Sequence, residues 1–205
     1  MLYDYETIVV DCIQLERIEF IAKLDALLPA IWAKQYGESV TSSLNLLTVS
    51  FGATDFEQPF CRFMFDHLSA SKRIDVENPE VNEDRVVAVW GTSKPIAIRP
   101  RDQSRMRGLL QHVWISRFPK TDRGHFFAHT MGGGLDINLF PQSAQTNRRG
   151  LWRKMENYCA KHPGTFCFVR PIYSDKGWRP LLLEYGIVKM TPDTTYHFWG
   201  NVFEN

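Results

Sequence analysis

Apolar residues that recur every three to four positions predict helices in three parts of the chain. The pattern covers residues 13–36, 55–64 and 152–161, and this spacing places one apolar stripe along each helix. In the first of them Pro29 is expected to kink or break the helix, because proline lacks the N–H that the helical ladder needs. Gly37 is expected to end that helix.

Runs rich in β-branched and aromatic residues predict eight strands, and four of them lie in the second half of the chain. The charged, turn-rich stretch 71–84 between them is typical of a loop or linker. Together the two patterns indicate an α+β protein in which helices come early and a sheet dominates the C-terminal half. The predicted strands are residues 7–10, 44–51, 85–90, 95–99, 113–118, 166–173, 181–190 and 196–203.

The composition is that of a folded globular protein. Hydrophobic residues make up 44% and charged residues 23% of the 205 residues, which excludes intrinsic disorder and a coiled coil. The chain contains no run of roughly twenty apolar residues, so no membrane span is expected. Its first residues are acidic where a secretory signal is basic. We therefore expect a cytoplasmic protein as synthesised, exported only through a specialised secretion system.

Charge is distributed unevenly along the chain. Residues 1–100 contain nine Lys and Arg against fifteen Asp and Glu, a balance of −6, whereas residues 101–205 contain fifteen against eight, a balance of +7. A basic half predicts a surface that binds a polyanion, although charges also partition unevenly without any function. We expect residues 1–84 to form an α/β extension of unknown role and residues 85–205 to form the functional domain.

The residues with the clearest chemical potential fall between positions 122 and 156. His125 is a candidate general base because an imidazole titrates near neutral pH. Asn138 and Asn147 offer neutral oxygens, which suit a hard divalent cation that keeps several of its waters. Basic side chains that suit phosphate binding lie near them in the sequence, namely Arg123, Arg148, Arg149, Arg153 and Lys154.

Each of these residues also has an ordinary structural explanation. A single histidine is more often a core or surface residue, and an asparagine beside proline or glycine often forms a turn. Two zinc sites are conceivable, one at His125 and His129 and the other at Cys159, His162 and Cys167. Both depart from the usual spacing of zinc ligands, and we expect reduced, mostly buried thiols instead.

The order and spacing of these residues carry a resemblance to a known family. Asp122-Arg123-Gly124-His125 is followed by an N-x-x-P-Q sequence that begins at Asn138, then by Asn147 nine residues later, and then by W-x-x-M-E ending at Glu156. This series resembles the DNA/RNA non-specific endonucleases of the ββα-metal (His-Me finger) superfamily, the group that includes endonuclease G. The bacterial toxin-like branch is the most similar, and the resemblance covers roughly residues 110–190.

The resemblance implies a ββα-metal nuclease core and a metal-dependent, sugar-non-specific endonuclease. In that family's pattern His125 is the general base that activates water, and Asn147 holds a single Mg²⁺, a position that Mn²⁺ also suits. The products are 5′-phosphates from DNA, RNA or both. The toxin-like branch makes an antibacterial effector one of three expected roles, beside an intracellular enzyme and a phage or mobile-element protein. Two roles stay open for residues 1–100: they complete the nuclease sheet, or they form an acidic lobe that binds a cognate inhibitor or a delivery partner.

The remaining site residues take supporting roles in the same pattern. Asn138 orients His125 or the backbone of the site. Arg123 and Glu156 support the residues that contact substrate and metal, and Glu156 reaches a water bound to the metal. Glu156 follows Asn147 by nine residues, where the family usually has eight. Its role therefore requires that Asn147 precedes the regular helix and that the extra residue bulges out near Gly150. The residues expected to bind substrate are Arg148, Arg149, Arg153 and Lys154.

Two other functions remain open at this point. One is a catalytically degenerate module that keeps the fold and binds nucleic acid without turnover. The other is a protein-interaction module in which the N-terminal segment carries the biology. Loss of cleavage in a folded His125→Ala variant distinguishes the enzyme from both. A steep dependence of binding on salt concentration distinguishes the first module from the second, because it reports phosphate contacts.

Overall fold

The computed structural model of the protein describes residues 3–12, 14–39, 46–51, 61–66, 85–94, 118–134, 138–174, 179–191 and 195–205. Within these ranges the helices are α1 (Tyr5–Val10), α2 (Arg17–Ser39), α3 (Ala144–Arg148) and α4 (Leu151–Lys161). The strands are β1 (Leu46–Phe51), β2 (Cys61–Asp66), β3 (Arg85–Thr92), β4 (Thr121–His125), β5 (Leu139–Ser143), β6 (Phe166–Ile172), β7 (Leu182–Met190) and β8 (Tyr196–Glu204).

The described strands form one large sheet and one small one. The large sheet has six strands in the order β1-β2-β3-β6-β7-β8, and every neighbouring pair in it is antiparallel. Strands β4 and β5 form a separate antiparallel pair, followed directly by α3 and α4. The predicted α+β class is confirmed, and the order strand, strand, helix matches the predicted ββα core.

The large sheet separates two hydrophobic cores, because successive side chains of a strand point to opposite faces. On β2, Phe63 belongs to the core that also contains Phe140 of β5 and Met155 of α4. Its neighbour Met64 belongs to the other core, with Trp32 of α2. The β4–β5 pair and α4 therefore cover one face of the sheet, and α1 and α2 cover the opposite face.

The prediction of a strand at residues 7–10 is wrong, since these residues lie in α1. The Asp4 carboxylate caps the helix, accepting hydrogen bonds from the Thr7 amide at 3.2 Å and from its hydroxyl at 2.6 Å. Tyr5 and Val9, one helical turn apart, are both buried. A side-chain cap and a buried i, i+4 pair thus outweigh the strand preference of the β-branched residues.

The predicted helix over residues 13–36 is confirmed as α2, but the predictions that it breaks at Pro29 or ends at Gly37 are wrong. The helix continues through both residues to Ser39. Leu28 and Trp32 flank Pro29 on the buried side, and the Trp32 ring packs against Trp90 of β3 at 5.5 Å between centroids. Tertiary packing therefore holds the helix together across its missing hydrogen bond.

The helix predicted over residues 55–64 is wrong for its last four residues, which begin β2; residues 55–60 lie outside the described ranges. The aromatic residues Phe63 and Phe65 instead lie in a strand that pairs with β1 on one edge and with β3 on the other. The predicted helix at 152–161 and the predicted strands at 85–90, 166–173, 181–190 and 196–203 are confirmed, as is 44–51 over its described part. Residues 95–99 and 113–117 lie outside the described ranges.

The described part of residues 1–84 is continuous with the rest of the fold, since β1 and β2 extend the sheet that contains β3 and β6. The division into an extension (residues 1–84) and a functional domain (residues 85–205) stays a prediction. All four cysteines are buried. Among the described residues, no helix is both long enough and apolar enough to cross a membrane.

Candidate functional site

The two sequence motifs that carry the resemblance face each other as paired strands. Asp122 on β4 lies opposite Gln142 on β5, and His125 lies opposite Leu139. His125 ends β4 and is 7% exposed. Arg123, two residues earlier on the same strand, is half-buried on the same face, and burial lowers the pKa of its guanidinium. The site is thus built on regular strands rather than on a loop.

Gly124 is required by the side chain that crosses it. A Cβ atom at this position would lie 2.1 Å from Oε1 and 2.5 Å from Cβ of Gln142. Gln142 is fully buried, with no exposed surface, so its side chain has little room to withdraw. The glycine of the first motif and the glutamine of the second therefore form one packing unit that fixes β4 against β5 just before His125.

Asn138 fixes the backbone that follows His125. Its Oδ1 accepts a hydrogen bond from the Phe127 amide at 2.7 Å, and its Nδ2 donates to the carbonyls of Phe127 at 2.7 Å and Gly134 at 2.8 Å. The Asn138 carbonyl in turn accepts from the Phe126 amide at 3.0 Å. Asn138 is 1% exposed, so each of these bonds satisfies a polar group removed from water.

Asp122 holds Asn147 and Arg148 against the beginning of β4. The Asn147 Nδ2 donates to Asp122 Oδ2 at 3.0 Å, and Arg148 donates from Nε and Nη2 to the same carboxylate at 2.8 and 2.6 Å. Burial raises the pKa of Asp122, but the hydrogen bonds from Arg148 and Asn147 and the Arg148 charge outweigh it, so the pKa lies below its ordinary value. The carboxylate is therefore ionised at neutral pH and anchors α3 to β4.

Two non-helical residues separate α3 from α4, as the predicted role of Glu156 requires. Arg149 is extended, and Gly150 has φ +85°, a conformation that favours glycine. Asn147 thus precedes the regular helix that carries Glu156. Glu156 is 4% exposed and accepts hydrogen bonds from Trp152 Nε1 at 3.0 Å and from an Arg153 Nη1 at 2.7 Å.

The predicted phosphate-binding residues fall into two groups. Arg148 and Arg153 are engaged with Asp122 and Glu156, although Arg148 keeps 67% of its side chain exposed. Arg149 and Lys154 are exposed to solvent. The structure therefore brings His125, Asn138 and Asn147 onto one ββα unit and leaves cations at its surface. In the described part of the chain, no three His, Cys, Asp or Glu side chains cluster as a metal site.

Sequence reasoning missed one residue that supports this unit. Asn205 Oδ1 accepts from the Ser143 amide at 2.7 Å, and Asn205 Nδ2 donates to the Pro141 carbonyl at 2.9 Å. The Thr146 hydroxyl donates to the Glu204 carbonyl at 3.0 Å. The end of β8 thus holds the beginning of α3 in place, and Asn147 is the residue after Thr146 in that helix. No signal in the sequence indicates this contact, because 62 positions separate Asn205 from Ser143.

Comparison with known proteins defines the class. A family model described as DNA/RNA non-specific endonuclease matches residues 82–185, just over half of the 205-residue chain. The protein is thus a nuclease that hydrolyses phosphodiester bonds. Within that class the chain belongs to the DNA/RNA non-specific endonuclease family, as the sequence motifs predict. Members of this family generally use a divalent metal ion.

Two solved structures and one negative result complete the comparison. The chain is similar to one described as "Crystal structure of the EndoG/EndoGI complex: Mechanism of EndoG inhibition", with 13% identity and a TM-score of 0.45 over 85% of this chain and 80% of that one. It is also similar to a chain described as an extracellular endonuclease, with 15% identity and a TM-score of 0.36 over 82% and 84% of the two chains. No curated protein matched.

Proposed function

We propose that the protein is a Mg²⁺-dependent endonuclease that cuts both DNA and RNA, with His125 as its general base and Asn147 as its metal ligand. The observation that carries this proposal is the position of Asp122. It lies on β4 three residues before His125, and it holds Asn147 by a direct hydrogen bond. One strand therefore sets the positions of both groups.

The donors present fit a hard cation. Because Asn147 uses Nδ2 to bind Asp122, its Oδ1 is the atom left to face a metal ion, and an amide oxygen suits Mg²⁺. The Asp122 carboxylate, which also pairs with Arg148, holds the amide in this orientation. When bound, a divalent ion at this position supplies charge neutralisation at the scissile phosphate.

His125 removes a proton from water as the water oxygen attacks phosphorus. The new P–O bond forms in line with the bond between phosphorus and the 3′ oxygen. That bond breaks, and the 3′ oxygen takes up a proton from solvent. The products are a 5′-phosphate and a 3′-hydroxyl. His125 suits this step because it ends β4 and is 7% exposed, so the strand and the surrounding packing limit the positions that its ring can take.

The remaining predicted residues support this chemistry. Asn138 is a positioning residue that fixes the backbone at residues 126 and 127 through its three side-chain hydrogen bonds. Arg123 lies on the same face of β4 as His125 and, in this proposal, contacts the phosphate. Glu156 orients Trp152 and Arg153. Arg148, Arg149, Arg153 and Lys154 bind the substrate backbone, and such phosphate contacts carry no base sequence information.

A metal titration of two variants tests the proposal. Asn147→Ala removes the amide oxygen, so we expect the Mg²⁺ concentration for half-maximal cleavage to be at least tenfold higher than for the wild type. Asn138→Ala serves as the comparison, because it disturbs the backbone without removing a metal ligand; its loss of activity should not be rescued by metal. Equal metal dependence of Asn147→Ala and wild type contradicts the assignment of Asn147.

We further propose that the protein is an antibacterial toxin that acts by cleaving nucleic acid. Its acidic first hundred residues bind a cognate inhibitor or a delivery partner. The balance of −6 in that segment supports a partner with a basic surface. Expression in a bacterial cytoplasm should reduce colony formation by orders of magnitude for wild type and not for His125→Ala. Equal growth of the two strains, at equal protein levels, contradicts the toxin role.

A further inference from the structure

A row of aromatic and basic side chains lies away from the catalytic unit, at the far end of α4. The Lys189 ammonium lies 3.6 Å from the centre of the Trp199 ring and 4.8 Å from the centre of the Tyr158 ring. The Tyr158 ring packs against the His162 ring at 4.4 Å between centroids. His162 is exposed, and the other three side chains are half-buried. This row therefore brings aromatic rings and positive charge together at a surface where the His162 ring is exposed.

The row continues into a cleft at the end of the large sheet. The cleft has a volume of about 350 Å³, and its wall includes Tyr158, Lys161, His162 and Arg17. Among the described residues that line it, the charged ones are basic and none is Asp or Glu. Arg17 is held in place by a hydrogen bond to the Gly164 carbonyl at 2.8 Å. The cleft thus fits an anion that also carries flat apolar groups.

We infer that this surface is a second binding site for the polynucleotide substrate, DNA or RNA. Phosphates contact the lysines, and an unpaired base stacks on the exposed His162 ring. Basic grooves interleaved with aromatic rings bind single strands in this way without reading their sequence, which suits a non-specific endonuclease. The basic end surface, as we call it, consists of Arg17, Tyr158, Lys161, His162, Lys189 and Trp199.

The position of the basic end surface relative to the catalytic unit supports this assignment. Helix α4 begins beside Gly150 and ends at Lys161, and its 11 residues span about 16 Å. That distance corresponds to roughly five nucleotides at 3.4 Å per nucleotide. Helix α4 directly follows α3, which carries Asn147, so a strand that is bound beside Asn147 and runs along α4 reaches Tyr158 and Lys161. The path of the bound strand along α4 rests on the proposed catalytic site. Binding at the basic end surface is measurable without catalysis.

Equilibrium binding of a 20-nucleotide single strand in EDTA tests the inference. The double variant Lys161→Ala/Lys189→Ala should bind at least tenfold more weakly than wild type near 100 mM salt. Its plot of log affinity against log salt should become shallower by about 1.4, or 0.7 for each lost phosphate contact. The matched control Lys23→Ala/Lys34→Ala removes two lysines from α2, both exposed, and should change affinity less than twofold.

A stacking variant separates base contacts from charge. His162→Ala at pH 8 should weaken binding about fivefold or more while leaving the salt slope unchanged. Equal weakening by both lysine pairs, or none by Lys161→Ala/Lys189→Ala with wild-type melting temperature, overturns the inference. Because these measurements exclude metal, they stand whether or not His125→Ala abolishes cleavage.

Discussion

The Nδ2 atom of Asn147 lies 3.0 Å from Oδ2 of Asp122, which joins the helix after the hairpin to the strand that ends in His125. The contact orients the amide, so we expect Asp122→Ala to raise the Mg²⁺ concentration for half-maximal cleavage about tenfold. Arg148→Ala is the control. It removes a surface ion pair, which is generally worth less than about 1 kcal/mol, and leaves the Asn147 contact in place. A metal titration in which both variants shift equally contradicts this role of Asp122.

The lowered pKa of Asp122 predicts a pH window. A carboxyl group whose pKa is depressed in the folded state stabilises the protein above its unfolded pKa of about 4, and that stabilisation is lost as pH falls through the folded pKa. The difference in melting temperature between wild type and Asp122→Asn should therefore be constant from pH 8 to pH 5. It should shrink below about pH 4. A difference that widens on acidification is inconsistent with the ionised carboxylate as the anchor.

The contact between Gly124 and Gln142 predicts opposite outcomes for two glycine substitutions. Gly124→Ala places its methyl group 2.1 Å from Gln142 Oε1, whereas a Cβ at Gly134 meets no atom within 4 Å. We expect Gly124→Ala to lower the free energy of unfolding by about 1–3 kcal/mol. Gly134→Ala should change it by less than about 0.5 kcal/mol. Urea denaturation measures both, and similar values for the two variants count against the packing unit.

How far the sequence predicts this molecule depends on the range of the interactions involved. The β6, β7 and β8 strands are predictable because each carries its own apolar run. Residues 7–10 show the limit, since the Asp4 cap and the burial of Tyr5 and Val9 decide their helix. The path of α2 through Pro29 depends on packing against a strand more than fifty residues away.

The candidate site shows the same division. His125 and Asn147 are recognisable from short motifs, and the extra residue before Glu156 points to Gly150 as the place where the helix must be interrupted for Glu156 to keep its role. The partner of Asn147 is not recognisable in this way, because 25 positions separate it from Asp122 and only the fold brings them together. The hydrogen bond between Asn205 and Ser143 is even more distant in sequence. The motifs therefore identify the reacting groups, and the fold identifies what holds them.

The hydrogen bonds of Asn205 predict a local change in backbone protection. Asn205→Ala removes the acceptor of the Ser143 amide, so hydrogen exchange at that amide should accelerate at least tenfold. Arg179→Ala is the matched control, because it removes a hydrogen bond to the Asn205 carbonyl at 2.8 Å and keeps the side-chain contacts. Exchange measured by NMR should show no change at Ser143 in that control. Unchanged exchange in Asn205→Ala refutes the proposed support of α3.

The most direct test of the account is cleavage of supercoiled plasmid and of a structured RNA by the purified protein, with Mg²⁺ and with EDTA. General base catalysis by a positioned side chain is worth about 10²–10⁴ in rate, so His125→Ala should cut both substrates at least a hundredfold more slowly while keeping the wild-type melting temperature. EDTA should abolish cleavage by the wild type. A folded His125→Ala variant that cuts at the wild-type rate, or cleavage that persists in EDTA, contradicts the account.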